Sequence, residues 1–326
     1  MKVTVIGAGA WGTALANLLC QNQHAVTLWG HDREHLEQIK ASGRNELYLP
    51  GIALSPAIEF EENLERAARD CQCVVIAVPS EVFRQITSRI SSFAGVAVSV
   101  TKGIEHESGL TMCGVLKATM PRAAGAALSG PTLAQEVARG MPAAIVAAQE
   151  QAEIVKEVQR LFHQPTFRVY TSRDVLGVEL GGAVKNVVAL AAGVGDGLGY
   201  GDNAKAGLIT RGVAEMRRLG VARGASAETF SGLSGLGDLV ATCYSRLSRN
   251  RAFGERVGRG EKVDAILAST RSVAEGYPTA LSAWQLARKL GIQAPIIDEL
   301  HAMLYQGKEV RKAVQALTSR DMKEED

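Results

Sequence analysis

The feature that most constrains the fold of this sequence is a glycine-rich turn between two β-branched segments near the N-terminus. Residues 2–6 (KVTVI) and 25–29 (AVTLW) have the composition of buried strands. Between them, residues 7–12 (GAGAWG) match the spacing G-x-G-x-x-G, and residues 13–21 predict a helix. A lone match to this spacing is weak evidence, but here the required strand, turn, helix and second strand follow one another within about 30 residues.

Each glycine of this turn has a separate physical role. Gly7 permits the tight turn, Gly9 lets the main chain approach a pyrophosphate, and Gly12 lets the helix pack closely on the strand. The free N–H groups at the helix start and the helix dipole favour the negative charge of the phosphate. The turn therefore predicts a dinucleotide site, and a simple strand–helix turn is the alternative interpretation.

The end of the second strand bears on which dinucleotide binds. A fold specific for NAD usually places Asp or Glu there, where it binds the ribose hydroxyls. Here no acid stands at the strand end, Asp32 comes slightly late, and His31 and Arg33 suit a 2′-phosphate. The sequence therefore favours NADP, or the use of both NADP and NAD.

Further apolar segments continue the alternation of strands and helices. Runs of Val, Ile and Ala without polar alternation are typical of buried parallel strands. Such runs lie at residues 71–78, 96–100, 126–128, 141–147 and 167–170. This order predicts an α/β fold with a Rossmann-type doubly wound, mostly parallel sheet.

Lys102 stands directly after one of these strands, beside Gly103. Ligands of such sheets bind beyond the carboxyl ends of the strands. The loops at 78–80, 101–103 and 129–131 are therefore expected to converge on one crevice, with Lys102 facing the ligand. A solvated loop lysine is an equally good interpretation of the sequence alone.

The sequence after Tyr170 has no convincing strand, which predicts a helical second half. Residues 175–192 predict one long helix that is apolar on nearly all sides and therefore buried. Gly181 and Gly182 inside it cost roughly 1 kcal/mol each relative to Ala, so we expect a large group to approach the backbone there. The change in pattern predicts a dinucleotide-binding domain at 1–175 and an all-helical substrate domain at 176–326.

Lys185 and Asn186 are the polar exceptions in this apolar helix. A buried lysine must either be paired or have a lowered pKa. Both states suit proton transfer, so Lys185 is a candidate acid and base. The alternative is a lysine whose ammonium reaches the surface along its own apolar stem.

Three later stretches of the helical half are also distinctive. Residues 193–201 predict a glycine-dense connection, and residues 231–239 predict a second glycine-rich turn that contains Asp238 near a helix start. Residues 245–251 concentrate positive charge, and Arg249 with Asn250 fits a phosphate or carboxylate because a guanidinium binds two oxygens at once. A basic solvated turn is an equally good interpretation of that last stretch.

Composition excludes several other classes of protein. With 36 Lys and Arg against 34 Asp and Glu, the net charge of +2 gives no overall basic field for a nucleic-acid partner. The five cysteines have no zinc-finger spacing, which predicts no metal site and favours a reducing, cytoplasmic compartment. Residues 3–20 superficially resemble a signal peptide, but their glycines and polar residues fit the dinucleotide turn better. No other apolar run approaches the roughly 18–20 residues of a membrane span.

Seven motifs in this order resemble the bacterial NAD(P)-dependent glycerol-3-phosphate dehydrogenase family over residues 2 to about 310. They are GAGAWGTALA (7–16), VPS (78–80), SVTKGIE (99–105), SGPT (129–132), ELGGAVKNV (179–187), GLGDL (235–239) and SRNR (248–251). The resemblance implies an enzyme that reversibly reduces dihydroxyacetone phosphate to sn-glycerol 3-phosphate, the precursor of the phospholipid backbone. It also implies a homodimer with no membrane span.

The resemblance also implies roles for single residues. Lys185 is the proton donor and acceptor, Lys102 lines both the cofactor and the substrate, and Asp238 holds or tunes a lysine. The implied substrate contacts are Lys102, Gly130, Thr132, Lys185, Asp238, Ser248, Arg249 and Asn250. The implied dinucleotide contacts are Gly7, Gly9, Ala10, Trp11, Gly12, His31, Lys102, Ala134, Arg249, Val273 and Glu275. Many members carry Ser where this chain has Ala10, so only the backbone N–H remains there for the cofactor.

Two other functions are open at this point. A β-hydroxyacid dehydrogenase shares the order of domains but needs a clamp for a carboxylate instead of a phosphate. A non-catalytic dinucleotide sensor keeps the glycine turn but has no need for Lys102, Lys185 and Asp238 together. The presence of all three residues favours an enzyme.

Overall fold

A computed structural model describes residues 1–270, 274–322 and 324 of the chain. Within these residues, eight strands form one sheet in the order β3-β2-β1-β4-β5-β6-β7-β8. All neighbouring strands are parallel except β6 and β7. The strands are β1 (Lys2–Ile6), β2 (Ala25–Trp29), β3 (Ile58–Glu61), β4 (Cys73–Ile76), β5 (Val96–Ser99), β6 (Ala124–Ser129), β7 (Ala143–Ala148) and β8 (Phe167–Ser172).

Helices connect these strands, and apolar side chains cover both faces of the sheet. One cluster includes Val5 and Leu28, and another includes Ile6, Ile76 and Phe83. The helices are α1 (Ala10–Gln21), α2 (Arg33–Ser42), α3 (Leu64–Arg69), α4 (Ser80–Arg89), α5 (Met112–Thr119), α6 (Ala134–Ala138) and α7 (Ala152–Phe162). The predicted Rossmann-type, mostly parallel sheet is therefore confirmed.

The sheet contains one strand that the sequence pattern does not predict. Strand β3 is short, stands at the edge of the sheet, and carries Glu59 and Glu61 on a partly exposed backbone. An edge strand needs no continuous apolar run, because only one side of it is paired and part of its surface faces water. The other predicted strand segments each overlap a strand of the sheet.

Beyond β8, the described chain contains helices and no further strand. These helices are α8 (Val175–Gly197), α9 (Asp202–Val221), α10 (Asp238–Tyr244), α11 (Arg249–Gly258), α12 (Val263–Ser269), α13 (Gly276–Leu290), α14 (Pro295–Tyr305) and α15 (Val310–Thr318). The predicted division between residues 175 and 176 falls in the first turn of α8. The division into two domains stays a prediction.

Helix α8 extends five residues beyond the predicted end at residue 192. The glycine-dense stretch was predicted as a connection, but its first part is helical because α11 packs against it backbone to backbone. A Cβ atom on Gly193 would lie 2.0 Å from the carbonyl oxygen of Arg251, and one on Gly197 would lie 2.3 Å from that of Glu255. These glycines therefore provide close helix packing and do not mark a loop.

Helix α8 is also long and apolar enough to span a membrane by length and composition. The expectation that no segment beyond the N-terminus approaches such a length is therefore wrong. Its most apolar window is 83% buried inside the protein, so α8 serves as the central helix of the helical half. The apolar residues near the N-terminus form β1 and α1, as the glycine turn predicts.

Candidate active site

The glycine turn after β1 has the geometry that its three glycines predict. Gly7 has a φ of +121°, and a Cβ atom there would lie 2.5 Å from the carbonyl oxygen of Ala77. A Cβ atom on Gly12 would lie 1.9 Å from the carbonyl oxygen of Gly7, so α1 packs directly on the turn. Around Gly9, by contrast, no described atom lies within 4 Å of such a Cβ position. The turn is therefore tightly packed at Gly7 and Gly12 and open at Gly9, where a pyrophosphate would approach.

Asn45 holds this turn in place, and the sequence analysis missed it. Its side-chain amide donates to the carbonyl oxygen of Ala8 at 2.9 Å and to the hydroxyl of Thr13 at 2.8 Å, and the residue is fully buried. These partners lie 37 and 32 residues away in the sequence. A contact over that separation leaves no local signal, which explains why Asn45 was not recognised.

The polar residues after β2 lie at the carboxyl ends of the parallel strands, next to the glycine turn, where the N–H of Gly7 donates to the carbonyl oxygen of Trp29 at 2.8 Å. Asp32 uses its carboxylate to cap α2 by accepting from the backbone N–H of His35 at 3.1 Å. His31 is exposed, and Arg33 pairs with Glu37 and Glu62 at 3.1 Å each. The acid at this position is therefore engaged in capping, while the two basic groups lie at the surface.

Two other predicted cofactor residues belong to elements around the turn. Trp11 lies in the first turn of α1 with its ring centroid 6.4 Å from that of Phe167, and Ala134 begins α6, which packs against α1. No described side chain caps the N-terminus of α1, so the N–H groups of its first turn, at Ala10, Trp11 and Gly12, have no side-chain acceptor there. The surroundings of the turn fit a dinucleotide phosphate.

Three predicted catalytic residues meet at one point between the sheet and the helices. The carboxylate of Asp238 contacts two ammonium groups: Oδ2 lies 2.6 Å from Nζ of Lys102, and Oδ1 lies 2.9 Å from Nζ of Lys185. Lys102 comes from the loop after β5, Lys185 from α8 and Asp238 from the start of α10. The side chain of Lys102 is 17% exposed, whereas those of Lys185 and Asp238 are 6% and 3% exposed. Lys102 is therefore the group nearest to solvent in this cluster.

Thr242 is a fourth member of the cluster that the sequence analysis did not identify. Nζ of Lys185 donates to its hydroxyl oxygen at 2.6 Å, and the hydroxyl in turn donates to the backbone carbonyl of Asp238 at 2.6 Å. Thr242 follows Asp238 by four residues, so both lie on one face of α10. The four-residue spacing from Asp238 is the sequence pattern from which Thr242 could have been identified.

Burial and mutual charge set the protonation of this cluster. Burial lowers the pKa of Lys185 to about 8, with a further decrease from the charge of Lys102, while Asp238 acts in the opposite direction. Burial alone would raise the pKa of Asp238, but the two ammonium groups outweigh it and hold that pKa below its ordinary value. The pKa of Lys185 therefore lies closer to neutral pH than that of an ordinary lysine, and the carboxylate beside it stays charged.

The loop after β6 closes one side of the cluster. The carbonyl oxygen of Gly130 accepts from Nζ of Lys102 at 3.0 Å and from the hydroxyl of Thr132 at 3.1 Å. A Cβ atom on Gly182 would lie 2.3 Å from Oγ of Ser129, and one on Gly181 would lie 2.9 Å from the carbonyl oxygen of Ser234. The predicted close approach at these two glycines is therefore confirmed, and it involves the sheet on one side and the second glycine-rich turn on the other.

The predicted basic turn at 245–251 ends in a helix. Ser248 caps α11 by accepting from the backbone N–H of Arg251 at 3.1 Å, and Arg249 is the first residue of that helix. Arg249 is exposed, with neighbouring protein atoms close to its guanidinium. These neighbours lower the pKa of the guanidinium by desolvation, and the charge of Glu275 opposes the decrease. The phosphate contact of Arg249 therefore stays a prediction, with the basic solvated turn as the alternative.

The last predicted positions lie at the junction of the two halves. Asn250 donates to the side-chain oxygen of Asn186 at 2.8 Å and accepts from the backbone N–H of Gly276 at 2.8 Å. Glu275 accepts two hydrogen bonds from Ser80. Val273 lies outside the described residues. Among the residues that are described, no group of three or more His, Cys, Asp or Glu side chains has the geometry to hold a metal ion.

Comparisons with known proteins identify the family of the chain. Residues 2–155 match the sequence model for the N-terminus of NAD-dependent glycerol-3-phosphate dehydrogenase, and residues 174–315 match the model for its C-terminus. A glycerol-3-phosphate dehydrogenase [NAD(P)+] of Syntrophotalea carbinolica is 48% identical over 100% of this chain and 99% of its own length. A glycerol-3-phosphate dehydrogenase [NAD(P)+] of Geobacter sulfurreducens is 47% identical over 99% of this chain and 98% of its own length.

A solved structure extends the similarity to three dimensions. The crystal structure of glycerol-3-phosphate dehydrogenase from Coxiella burnetii superposes with a TM-score of 0.94 at 35% identity, covering 98% of this chain and 99% of that one. The resemblance predicted from the seven motifs is therefore confirmed. The chain belongs to the NAD-dependent glycerol-3-phosphate dehydrogenase family.

Proposed function

We propose that Lys102, Lys185 and Asp238 are the catalytic residues of this enzyme, which reversibly reduces dihydroxyacetone phosphate to sn-glycerol 3-phosphate with NADPH or NADH. One observation carries the assignment: two ammonium groups share a single buried carboxylate at the carboxyl edge of the sheet. A protein that only senses a dinucleotide gains nothing from burying such a cluster, whose desolvation is costly.

The glycine turn holds the dinucleotide. The open space above Gly9 fits a pyrophosphate, and the N–H groups of Ala10, Trp11 and Gly12 bind it. When bound, the nicotinamide supplies or accepts the hydride. His31 and Arg33 bind the 2′-phosphate of NADP, and the remaining contacts are Gly7, Lys102, Ala134, Arg249, Val273 and Glu275.

Lys185 donates a proton to the carbonyl oxygen of the substrate as that oxygen becomes an alkoxide, and it takes the proton back in the reverse direction. A pKa of about 8 supports this role, because both protonation states are accessible near neutral pH. Thr242 accepts a hydrogen bond from Nζ of Lys185 and so orients the ammonium.

Lys102 and Asp238 provide fixed charges around the reacting carbonyl. Lys102 stabilises the developing negative charge on the substrate oxygen, and its partial exposure supports access to that oxygen. Asp238 stays ionised and holds both ammonium groups within 2.9 Å of its oxygens. Its charge keeps Lys185 protonated until the substrate arrives.

Arg249 binds the phosphate of the substrate with its two parallel N–H groups. Its position at the start of α11 adds the partial positive charge of a helix N-terminus, which also favours an anion. The other substrate contacts are Gly130, Thr132, Ser248 and Asn250. Holding the phosphate end sets the distance between the carbonyl carbon and the catalytic lysines.

The enzyme acts in the cytoplasm as a homodimer. All five cysteines, which belong to the described residues, are free thiols, and this supports a reducing compartment. The homodimer rests on the family resemblance, and light scattering of the purified protein tests it.

A panel of substrates tests the proposed reaction. Purified protein is assayed with NADPH and with NADH against dihydroxyacetone phosphate, dihydroxyacetone and a set of 2- and 3-keto acids. We expect kcat/KM to be highest for dihydroxyacetone phosphate, because Arg249 binds its phosphate. A higher value for a keto acid would instead identify a β-hydroxyacid dehydrogenase with a carboxylate clamp.

A further inference from the structure

Ser80 and Glu275 form a contact between the two halves of the chain that the reaction above does not use. Ser80 begins α4 directly after Pro79, a short distance beyond the end of β4 at Ile76. Its backbone N–H donates to Oε1 of Glu275 at 3.1 Å, and its hydroxyl donates to Oε2 at 2.6 Å. The two residues are 195 positions apart. Both oxygens of one carboxylate are thus engaged by one residue of the sheet half.

Ser80 is packed directly against the peptide that follows Lys102. A Cβ atom on Gly103 would lie 2.4 Å from Cβ of Ser80 and 3.5 Å from Oε2 of Glu275. Such distances leave no room for a side chain, so the backbone of Gly103 rests on Ser80. The position of Ser80 therefore restrains the backbone of Gly103, the residue that follows Lys102 in the loop.

Gly276, the residue after Glu275, contacts α8, the helix that carries Lys185. The backbone N–H of Gly276 donates to Oδ1 of Asn250 at 2.8 Å, and Nδ2 of Asn250 donates to Oδ1 of Asn186 at 2.8 Å. A Cβ atom on Gly276 would lie 2.6 Å from the carbonyl oxygen of Asn186, the neighbour of Lys185 on α8. Gly276 is therefore fitted to α8 as tightly as Ser80 is fitted to Gly103.

We propose that Glu275 and Gly276, named here the 275–276 bridge, position Lys102 and Lys185 relative to each other by tying the loop after β5 to α8. Glu275 is a positioning residue in this inference, which rests on the proposed function for the meaning of the two lysines. This positioning role is additional to the dinucleotide contact that the family resemblance implies for Glu275.

The geometry of the cluster explains why such a bridge is needed. Lys102 and Lys185 belong to different halves, and their ammonium groups are joined through opposite oxygens of Asp238. Two ammonium groups repel each other, so the carboxylate alone does not fix their separation. A displacement of about 1 Å of a catalytic group costs up to about 100-fold in rate. The bridge adds a restraint between the two halves to the one that the loop after β6 provides through Gly130 and Gly182.

A double-mutant cycle tests the bridge. Glu275→Gln keeps the shape of the side chain, but its amide nitrogen cannot accept a hydrogen bond from Ser80. Ser80→Ala removes the hydroxyl from the other end. We expect each variant to lower kcat at saturating cofactor by about 10-fold to 100-fold, and the double variant to be no worse than the more damaging single one.

Glu215→Gln is the matched control. Glu215 also accepts backbone N–H groups at a helix start, from Ile296 at 2.7 Å and Ile297 at 3.3 Å, but it lies on α9 outside the cluster. We expect this control to keep the wild-type kcat even where its thermal midpoint falls as far as that of Glu275→Gln. A parallel loss of kcat in the control would reduce the Glu275 effect to general stability and overturn the proposal.

A second readout does not depend on turnover. Competitive acetylation of the free protein, followed by mass spectrometry, measures the reactivity of Lys102. We expect Glu275→Gln and Ser80→Ala to raise the acetylation rate of Lys102 several-fold, while Glu215→Gln leaves it unchanged. The proposal would be overturned if the reactivity of Lys102 were unchanged, the decreases in kcat of the two single variants were additive, and the KM for the cofactor rose. Glu275 would then act only through the dinucleotide. If the wild type fails to reduce dihydroxyacetone phosphate, the proposed function fails, and the acetylation rates still decide on the bridge.

Discussion

The Nζ atom of Lys185 lies 2.9 Å from Oδ1 of Asp238 in a place where both side chains are almost fully buried. Removing two charges from water is costly, and proteins retain such a pair where its chemistry is used or its desolvation is compensated. Here the second carboxylate oxygen binds Lys102, so the cluster carries one net positive charge. This charge lies where the proposed reaction develops a negative oxygen.

Replacement of Lys185 by Met tests its role as the proton donor. Methionine matches the length and apolar stem of the buried side chain but carries no proton, so the fold is retained. We expect kcat to fall by about 100-fold to 10,000-fold while the Kd for NADPH changes little. Turnover close to that of the wild type would remove Lys185 from the mechanism.

The pH dependence follows from the pKa of about 8 for Lys185. Reduction of dihydroxyacetone phosphate needs the ammonium form, so kcat/KM should decrease as the pH rises through about 8. Oxidation of glycerol 3-phosphate needs the neutral amine, so its kcat/KM should increase over the same range.

Asp238→Asn tests the cause of that pH dependence. The charge of Asp238 raises the pKa of Lys185, so its removal should move the inflection of both profiles to lower pH. Profiles with an unchanged or raised inflection would mean that another group titrates.

Substitution of Gly9 and of Gly12 by Ala gives two matched variants of the first glycine turn, one expected to affect cofactor binding and the other stability. Gly9→Ala has room within the described structure and a φ of −77°, so we expect normal stability but weaker NADPH binding, by about 10-fold or more. Gly12→Ala would force a methyl group to 1.9 Å from a carbonyl oxygen, so we expect a loss of about 1–3 kcal/mol in the free energy of unfolding. Thermal denaturation without cofactor, combined with fluorescence titration, separates the two. Equal stability losses in both variants would count against this account of the turn.

Arg249→Ala tests the phosphate contact. Loss of a charge-assisted hydrogen bond costs about 1.5–3 kcal/mol, so the KM for dihydroxyacetone phosphate should rise by about 10-fold to 100-fold, with a smaller change in kcat. At saturating cofactor, activity toward dihydroxyacetone, which has no phosphate, should be unaffected. Arg246→Ala, also exposed and three residues earlier in the same stretch, is the control and should behave like the wild type. A rise in KM for both substrates alike would argue against a phosphate contact.

The preference between cofactors can be tested at the end of β2. His31→Ala and Arg33→Ala should each lower kcat/KM for NADPH more than for NADH, since only NADPH has the 2′-phosphate. Steady-state kinetics with both cofactors measures the ratio. An equal decrease for the two cofactors would place the 2′-phosphate elsewhere.

Much of the site follows from local sequence patterns. The glycine turn at 7–12 and Lys102 were identified from their positions after strands, because the carboxyl ends of parallel strands meet at one edge of the sheet. Lys185 was identified as a polar exception in an apolar helix. These signals depend on residues close together in the chain.

Other parts of the site depend on contacts between distant segments and left no such signal. Asn45 supports the glycine turn across more than 30 residues, and Ser80 meets Glu275 across 195. The edge strand β3 has a partly exposed surface and therefore lacks a continuous apolar run. The extension of α8 to Gly197 is set by packing against α11, which the sequence of α8 alone does not reveal.

The most direct test of the central claim is identification of the product formed from dihydroxyacetone phosphate. Purified protein is incubated with this substrate and NADPH or NADH, the loss of reduced cofactor is followed by absorbance, and the product is identified by NMR. The account predicts one sn-glycerol 3-phosphate per cofactor oxidised with the wild type, and almost none with Lys185→Met. Absence of cofactor oxidation with both dinucleotides, or formation of the same product by Lys185→Met at the wild-type rate, would contradict it.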